Sequence, residues 1–304
     1  MTGSDFDARR FKSIERAGFN RIAARYADGA HLRADLADAL LGAARLAPGQ
    51  QVLDLASGPG LLARAAARQV QPGGWVLASD IAEEMLAEGA RRTLGETVAA
   101  ALPAGTPALS FAAADAEQLC LPDASFDCVL AGLALFMFPH PQRALAEMHR
   151  VLRPGGRVAL STWGARDDVP LIRCAQDCIA RLLPAPKVAR PSVFRFGDAA
   201  VLEAALEAAG FVDVHVEPCR FTCHFADAAA YWQAFLDLAG GAAEALARLP
   251  QATQHALRDA VAAELEAHRS TGGTGYSIGA LALVATARRP AEGTLAGRSA
   301  PNGG

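Results

Sequence analysis

The chain has 304 residues, 52% of them hydrophobic, and sets 29 Lys+Arg against 32 Asp+Glu for a net charge of -3. That length buries a full core, as one elaborated domain or two closely packed ones. With acids and bases nearly balanced and no basic run to screen phosphates, the composition argues against a nucleic-acid partner, and none is expected.

The amino terminus, MTGSDFDARRFK, is polar and partly acidic, without the basic-then-apolar order of a secretory signal, so the expected compartment is the cytoplasm. Residues 1–48 predict a helical segment, AGFNRIAARYADG and then HLRADLADALLGAARL, ended by Ala47-Pro48-Gly49. From Gln51 short β-type runs alternate with amphipathic helices, the pattern of a parallel sheet covered on both faces. QVLDL, WVLAS, ALSFAAA, FDCVLAGL and RVALSTW are the first five predicted strands of a cofactor-binding core over residues 49–163. Within it, CVLAGLALFMF is too short for the roughly 20 residues of a membrane span and reads as a buried strand with the turn after it.

Residues 164–196 and 219–278 interrupt this rhythm and read as helical lid insertions, separated at 197–218 by a core helix and a sixth strand, FVDVHVE. Both insertions follow strands and should emerge at the carboxyl edge of the sheet, where open α/β folds bind ligands. ALALVATAR, within residues 279–289, is the last predicted strand, and 290–304 has the composition of a disordered tail. Of the six cysteines, Cys174/Cys178 and Cys219/Cys223 have CxxxC spacing, and His224 adjoins the second pair. That spacing admits a soft metal, but small core side chains explain it equally well, so free thiols and no metal are expected.

VLDLASGPGLLA, residues 52–63, ends the first strand in a glycine turn that opens a helix. Gly58 and Gly60 let backbone N–H groups approach a ligand, and Asp80 ends the second strand where a carboxylate accepts ribose hydroxyls. Both features suit a dinucleotide or a mononucleoside. Asp54 discriminates between them, because a carboxylate repels pyrophosphate and attracts the ammonium of a ligand such as S-adenosylmethionine, which has no phosphate.

Taken with LPDASFDCVLAGLAL and HRVLRPGGRVALSTW at their intervals, this stretch resembles the class I S-adenosylmethionine-dependent methyltransferases over about residues 50–163, especially the small-molecule branch containing the ubiquinone/menaquinone C-methyltransferases. The resemblance implies an α/β fold: a doubly wound, seven-stranded Rossmann-like sheet with its last strand antiparallel, N-terminal helices and a helical lid. It implies S-adenosyl-L-methionine as cofactor, with Asp54, Ala56, Gly58 and Gly60 in the acidic-glycine motif. Asp80 would hold the ribose, Ile81 lie beside the adenine, and Asp115 and Ala116 meet the adenine edge. Ala131 would give a backbone contact to the methionine portion, over which Tyr26 closes. Ala56 stands where many members have glycine, and Pro59 stiffens the turn. The quinone branch's terminal signatures are not recognisable in this chain, so a quinone acceptor does not follow.

A sulfonium methyl is already electrophilic, so the protein mainly aligns a nucleophile and excludes water, with a base where a proton must leave. His140, His224 and Tyr276 are the candidate catalytic residues, each expected at the carboxyl edge. Class members that methylate amino groups of bases or glutamine carry an Asn/Asp-Pro-Pro-Tyr/Phe turn after the fourth strand. Here that place reads AGLALFMFPHP, whose apolar residues suit either a hydrophobic ligand edge or packing. The expected activity is methyl transfer to O, C or N of a small, fairly apolar metabolite or natural-product intermediate. A non-methylating reaction such as cyclisation on the same fold is one alternative. An NAD-dependent oxidoreductase is another, opposed by Asp54 and by the turn Arg153-Pro154-Gly155-Gly156.

Overall fold

QVLDL forms β1 (Gln51–Leu55), and its last four residues are all buried, as a central parallel strand covered on both faces requires. In the computed structural model, which describes residues 6–99, 109–186 and 188–291, β1 is flanked by β2 (Trp75–Asp80) and β4 (Phe126–Gly132). With β3 (Leu109–Ala113), β5 (Leu152–Trp163), β6 (Val212–Phe225) and β7 (Tyr276–Arg288), the sheet has seven strands in the order β3-β2-β1-β4-β5-β7-β6. Only β7 runs against its neighbours, pairing antiparallel with both β5 and β6.

The chain leaves β1 toward β2 and β3 through α3 (Leu61–Gln69) and α4 (Glu83–Ala99). It returns to β4 and continues through α5 (Pro141–Val151) to β5. Right-handed crossovers place helices of the two directions on opposite faces, and the reversal between β1 and β4 opens a crevice at their carboxyl ends. Preceding the sheet are α1 (Ala8–Asp28), a 3-10 turn over Gly29–Arg33, and α2 (Ala34–Ala44). The helix α2 packs on α3 and across β4, β5 and β7. After β5 come α6 (Pro170–Leu182) and α7 (Ala199–Ala208). Between β6 and β7 lie α8 (Ala228–Leu238), α9 (Gly241–Ala247) and α10 (Gln251–Leu265), with α6, α8 and α10 packed together as a helical layer.

Three boundaries differ from expectation. The Arg153–Gly156 stretch is an irregularity inside β5, between the pairs Phe126↔Leu152 and Cys128↔Arg157, with Gly155 at φ +77°. Strand β6 runs on to Phe225, and β7 starts at Tyr276, so the second insertion shrinks to residues 226–275. Pro218 argues against a continuous strand in the sequence, but β6 is at the sheet's edge, where a missing N–H is tolerated. His224 therefore lies within β6, and Tyr276 begins β7 rather than preceding it. Cys219 and Cys223 are separated by about 13 Å of strand. Among the described residues no three His, Cys, Asp or Glu side chains gather as metal ligands, and no helix is long and apolar enough to cross a membrane. Of the predicted tail, residues 292–304 lie outside the described ones.

Candidate active site

Beyond β1 the backbone turns sharply through left-handed conformations at Ala56 (φ +53°), Gly58 (φ +53°) and Gly60 (φ +75°). The Gly60 N–H closes the turn on the Ser57 carbonyl at 3.0 Å, and α3 starts at the next residue. For Ala56 this conformation costs about 1 kcal/mol that a glycine would avoid. At Gly58 the left-handed φ rather than space favours glycine, since a Cβ there would meet Cε1 of the Tyr26 ring at an ordinary contact distance of 3.5 Å.

Asp54 is fully buried, and neither carboxylate oxygen has a hydrogen-bond partner at bonding geometry among the described residues, although the Ala63 N–H and the Arg64 charge both favour its ionised form. Burial is the main cause pushing its pKa up to about 8. The same cavity is lined by Arg33, which is only 8% exposed and has an unpartnered Nη1. Arg33 is fixed by donating from Nη2 to the Tyr26 carbonyl at 3.1 Å and by lying 4.1 Å over the Tyr26 ring. A buried carboxylate and a buried guanidinium, each with free hydrogen-bonding capacity, face one space. Their complement is a zwitterion carrying both an ammonium and a carboxylate.

A second cavity adjoins the first. Asp80 accepts from the Gly58 N–H at 2.9 Å and the Ala82 N–H at 2.8 Å, which fixes the carboxylate while leaving lone pairs toward the cavity. Burial raises its pKa as well. Ile81, Asp115 and Ala116 line the same space. Asp115 is gripped by Lys12, whose Nζ donates to its two oxygens at 3.0 and 2.7 Å and to Glu117 Oε2 at 2.7 Å.

The third cavity is walled by Phe19, Phe136, Trp163, Phe225, Tyr231 and Phe235, with Glu15 and Arg190 among its few polar groups. Tyr26 and Leu133 line all three spaces, so the cavities meet there. Leu133 follows β4 in a left-handed conformation, φ +51°, held by donation of its N–H to the carbonyl and hydroxyl oxygens of Ser161, each at 3.0 Å. Strain at a branched residue, over-determined by two hydrogen bonds, is a mark of a functional position.

Of the residues singled out in the sequence, Tyr26, Asp54, Ala56, Gly58, Asp80, Ile81, Asp115 and Ala116 line the first two cavities. Gly60 builds the turn without lining them. Ala131 lies inside β4, fully buried, and Gly132 and Leu133 take the lining place instead. The three catalytic candidates are elsewhere. His140 is the N-cap of α5, its backbone N–H donating to Glu117 Oε1 at 2.7 Å. The His224 ring pairs with the Ser277 hydroxyl at 3.0 Å beside a shallow outer depression. Tyr276 donates to Glu266 Oε1 at 2.8 Å and stacks under Arg269. None of the three lines the cleft formed by the three cavities. Arg33, Lys12 and Glu15 are not singled out by the sequence; Lys12 and Glu15 lie in α1 and Arg33 ends the 3-10 turn before α2. For Glu15 a signal existed, since Phe11, Glu15, Phe19, Ile22 and Tyr26 form one helical stripe with a single acid in it.

Residues 53–160 match the family model described as a methyltransferase domain. Ubiquinone/menaquinone biosynthesis C-methyltransferase UbiE of Bordetella avium is 43% identical over 118 residues, 39% of this chain and 43% of that protein. The UbiE of Ralstonia pickettii is 45% identical over 115 residues, 38% and 44% of the two chains. The chain thus spans less than half the length of these relatives. Among solved structures, YcgJ from Bacillus subtilis superposes with a TM-score of 0.55 at 17% identity, covering 84% of this chain and 97% of that one. The [4+2]-cyclase SpnF superposes at 0.51 and 21%, covering 84% and 80%. These two likenesses are of fold alone. The resemblance to class I methyltransferases holds over the region where the ordered sequence motifs carry it.

Proposed function

We propose that this chain, whose residues 53–160 form a methyltransferase domain, is a cytoplasmic enzyme transferring the methyl group of S-adenosyl-L-methionine to O, C or N of a small, largely apolar acceptor. The observation that carries the reading is the pair of unsatisfied groups in one cavity, Asp54 and Arg33, beside the glycine turn. Asp54 holds the α-ammonium and Arg33 the α-carboxylate, while Asp80 accepts from the ribose hydroxyls. Ile81 and Ala116 flank the adenine, and Asp115 Oδ2, which among the described residues accepts only from Lys12, retains a direction for the adenine amino group. A pyrophosphate brings no ammonium to stabilise the ionised Asp54 and would set like charges together if that buried acid ionised, which opposes a dinucleotide. When bound, the cofactor supplies a methyl group on a sulfonium whose departure leaves a neutral thioether.

The protein's share of the chemistry is positioning and exclusion of water. Tyr26 and Leu133 form the junction at which the reacting groups meet, and the aromatic cavity beyond them receives the acceptor. Calorimetric titration with S-adenosylmethionine, S-adenosylhomocysteine and NAD tests the reading. Binding of the first two and not of NAD supports it, with transfer of labelled methyl as the second stage. Binding of NAD alone overturns it, and tight S-adenosylmethionine binding with product formed but no methyl transferred would favour the non-methylating alternative.

A further inference from the structure

Glu15 is the one acid in the inward stripe of α1, and it lines both the second and the third cavities, next to Tyr26. It is 6% exposed. Its Oε1 pairs with Arg190 of the segment before α7, whereas Oε2 is buried with no partner among the described residues. Room for that oxygen is kept by glycine: a Cβ on Gly240, at φ +51°, would lie 2.9 Å from it. A carboxylate with one oxygen anchored and the other unsatisfied, in a wall that is mostly apolar and whose other charged or amide side chains are Arg33, Gln176 and Arg190, is costly unless a ligand completes it.

We propose that Glu15 is the general base of the transfer, and that the acceptor is a planar, largely apolar molecule carrying an ionisable ring hydroxyl whose O–H donates to Glu15 Oε2. The inference rests on the methyl-transfer reading above. The six aromatic walls fit a flat apolar body, and a ring hydroxyl titrates near pH 10, as tyrosine does, far closer to a carboxyl group than an aliphatic alcohol. As the acceptor oxygen bonds to the methyl carbon, the carbon–sulfur bond breaks and its electron pair stays on sulfur. The hydroxyl proton passes to Oε2, so a sulfonium and a carboxylate become a neutral thioether and a neutral acid.

Burial raises the Glu15 pKa, while Arg190 and the Gly241 backbone N–H oppose the rise. The other charges near it are engaged. Lys12 is held by Asp115 and Glu117, Glu244 of α9 pairs with Arg21 and Arg248, and Arg33 lies on Tyr26 with its free Nη1 assigned to the cofactor carboxylate. A base near the ligand hydroxyl, matched toward its pKa, contributes on the order of 10²–10⁴ in rate.

The test uses the full chain and three probes, 4-hydroxybiphenyl, 4-aminobiphenyl and biphenyl. Binding to the protein loaded with S-adenosylhomocysteine is measured by calorimetry, and transfer by labelled methyl. The expected result is that 4-hydroxybiphenyl binds about tenfold more tightly than biphenyl and is methylated on oxygen. Glu15→Gln then erases that tenfold preference and lowers kcat/KM by about 10² or more, with S-adenosylhomocysteine affinity kept within about threefold. Glu15→Asp retains a pH-dependent transfer at a reduced rate, and a thermal melt shows both variants folded. The proposal is overturned if Glu15→Gln keeps the hydroxyl preference or the rate. It is equally overturned if only the amine is methylated, or if no probe binds or reacts while the cofactor binds normally. Failure of S-adenosylmethionine itself to bind defeats the methyl-transfer reading instead.

Discussion

Asp54 is the residue on which stability and function conflict. Its pKa, raised by burial to about 8 from an ordinary 3.8, means that ionisation opposes folding. Its contribution to stability is full below pH 3.8 and is lost as pH rises toward 8. Asp54→Asn should therefore make the free protein more stable at pH 8, by about 1–3 kcal/mol, and flatten its stability between pH 4 and 8 in denaturant titrations. The same substitution should weaken S-adenosylhomocysteine binding by about 100-fold, because the ammonium loses its counter-charge. At pH 7 the free protein holds Asp54 protonated, so ligand binding should expel a proton. Calorimetry in two buffers of different ionisation enthalpy reads this directly, and equal heats after correction for binding alone would contradict it. Asp54 was legible in the sequence because a carboxylate four residues before a glycine turn is a local pattern. Arg33 was not, since nothing in HLRADL distinguishes a guanidinium facing the cleft from one facing water.

The first helix is the element that joins the cofactor side of the cleft to the lid. It packs along α4 and against α8 and α9, and a Cβ on Gly18 would lie 2.3 Å from the Gly241 nitrogen. Gly18→Ala should force α1 and α9 apart and cost about 1–3 kcal/mol of stability, seen as a lower Tm. Between α1 and α2, Arg33 is set by the 3-10 turn that reverses the chain under Tyr26. Arg33→Gln should weaken S-adenosylhomocysteine by about tenfold and leave 5′-methylthioadenosine, which lacks the amino-acid end, unaffected. Equal losses for both ligands would place Arg33 outside the proposed role. The extension of β6 through Cys219–Phe225 was hidden by Pro218, although the alternation of buried Phe221, Cys223 and Phe225 was present in the sequence.

For the whole molecule, the proposed function makes the crevice between β1 and β4 and the helices after β5 and β6 one binding unit. A ligand that binds only the folded chain stabilises it by mass action. S-adenosylhomocysteine at about 100 times its Kd should add about 2.7 kcal/mol and raise Tm by about 4 °C. NAD at the same concentration should leave Tm unchanged.

The sequence by itself determined the order of strands and helices, the glycine turn with its acids, and the cofactor class they resemble, because strand periodicity, turn chemistry and short motif spacing act over a few neighbouring residues. Only the tertiary structure decided which polar groups are left unsatisfied in the cleft. Glu15, Arg33 and Leu133 come from α1, the turn before α2 and the end of β4, and they meet through packing across the sheet. His140, His224 and Tyr276 share the predicted edge yet line none of the three cavities: His140 caps α5 with its backbone N–H on Glu117, and the His224 and Tyr276 side chains pair with Ser277 and Glu266. An edge is a property of chain order, whereas a site requires groups from distant segments to converge on one desolvated space.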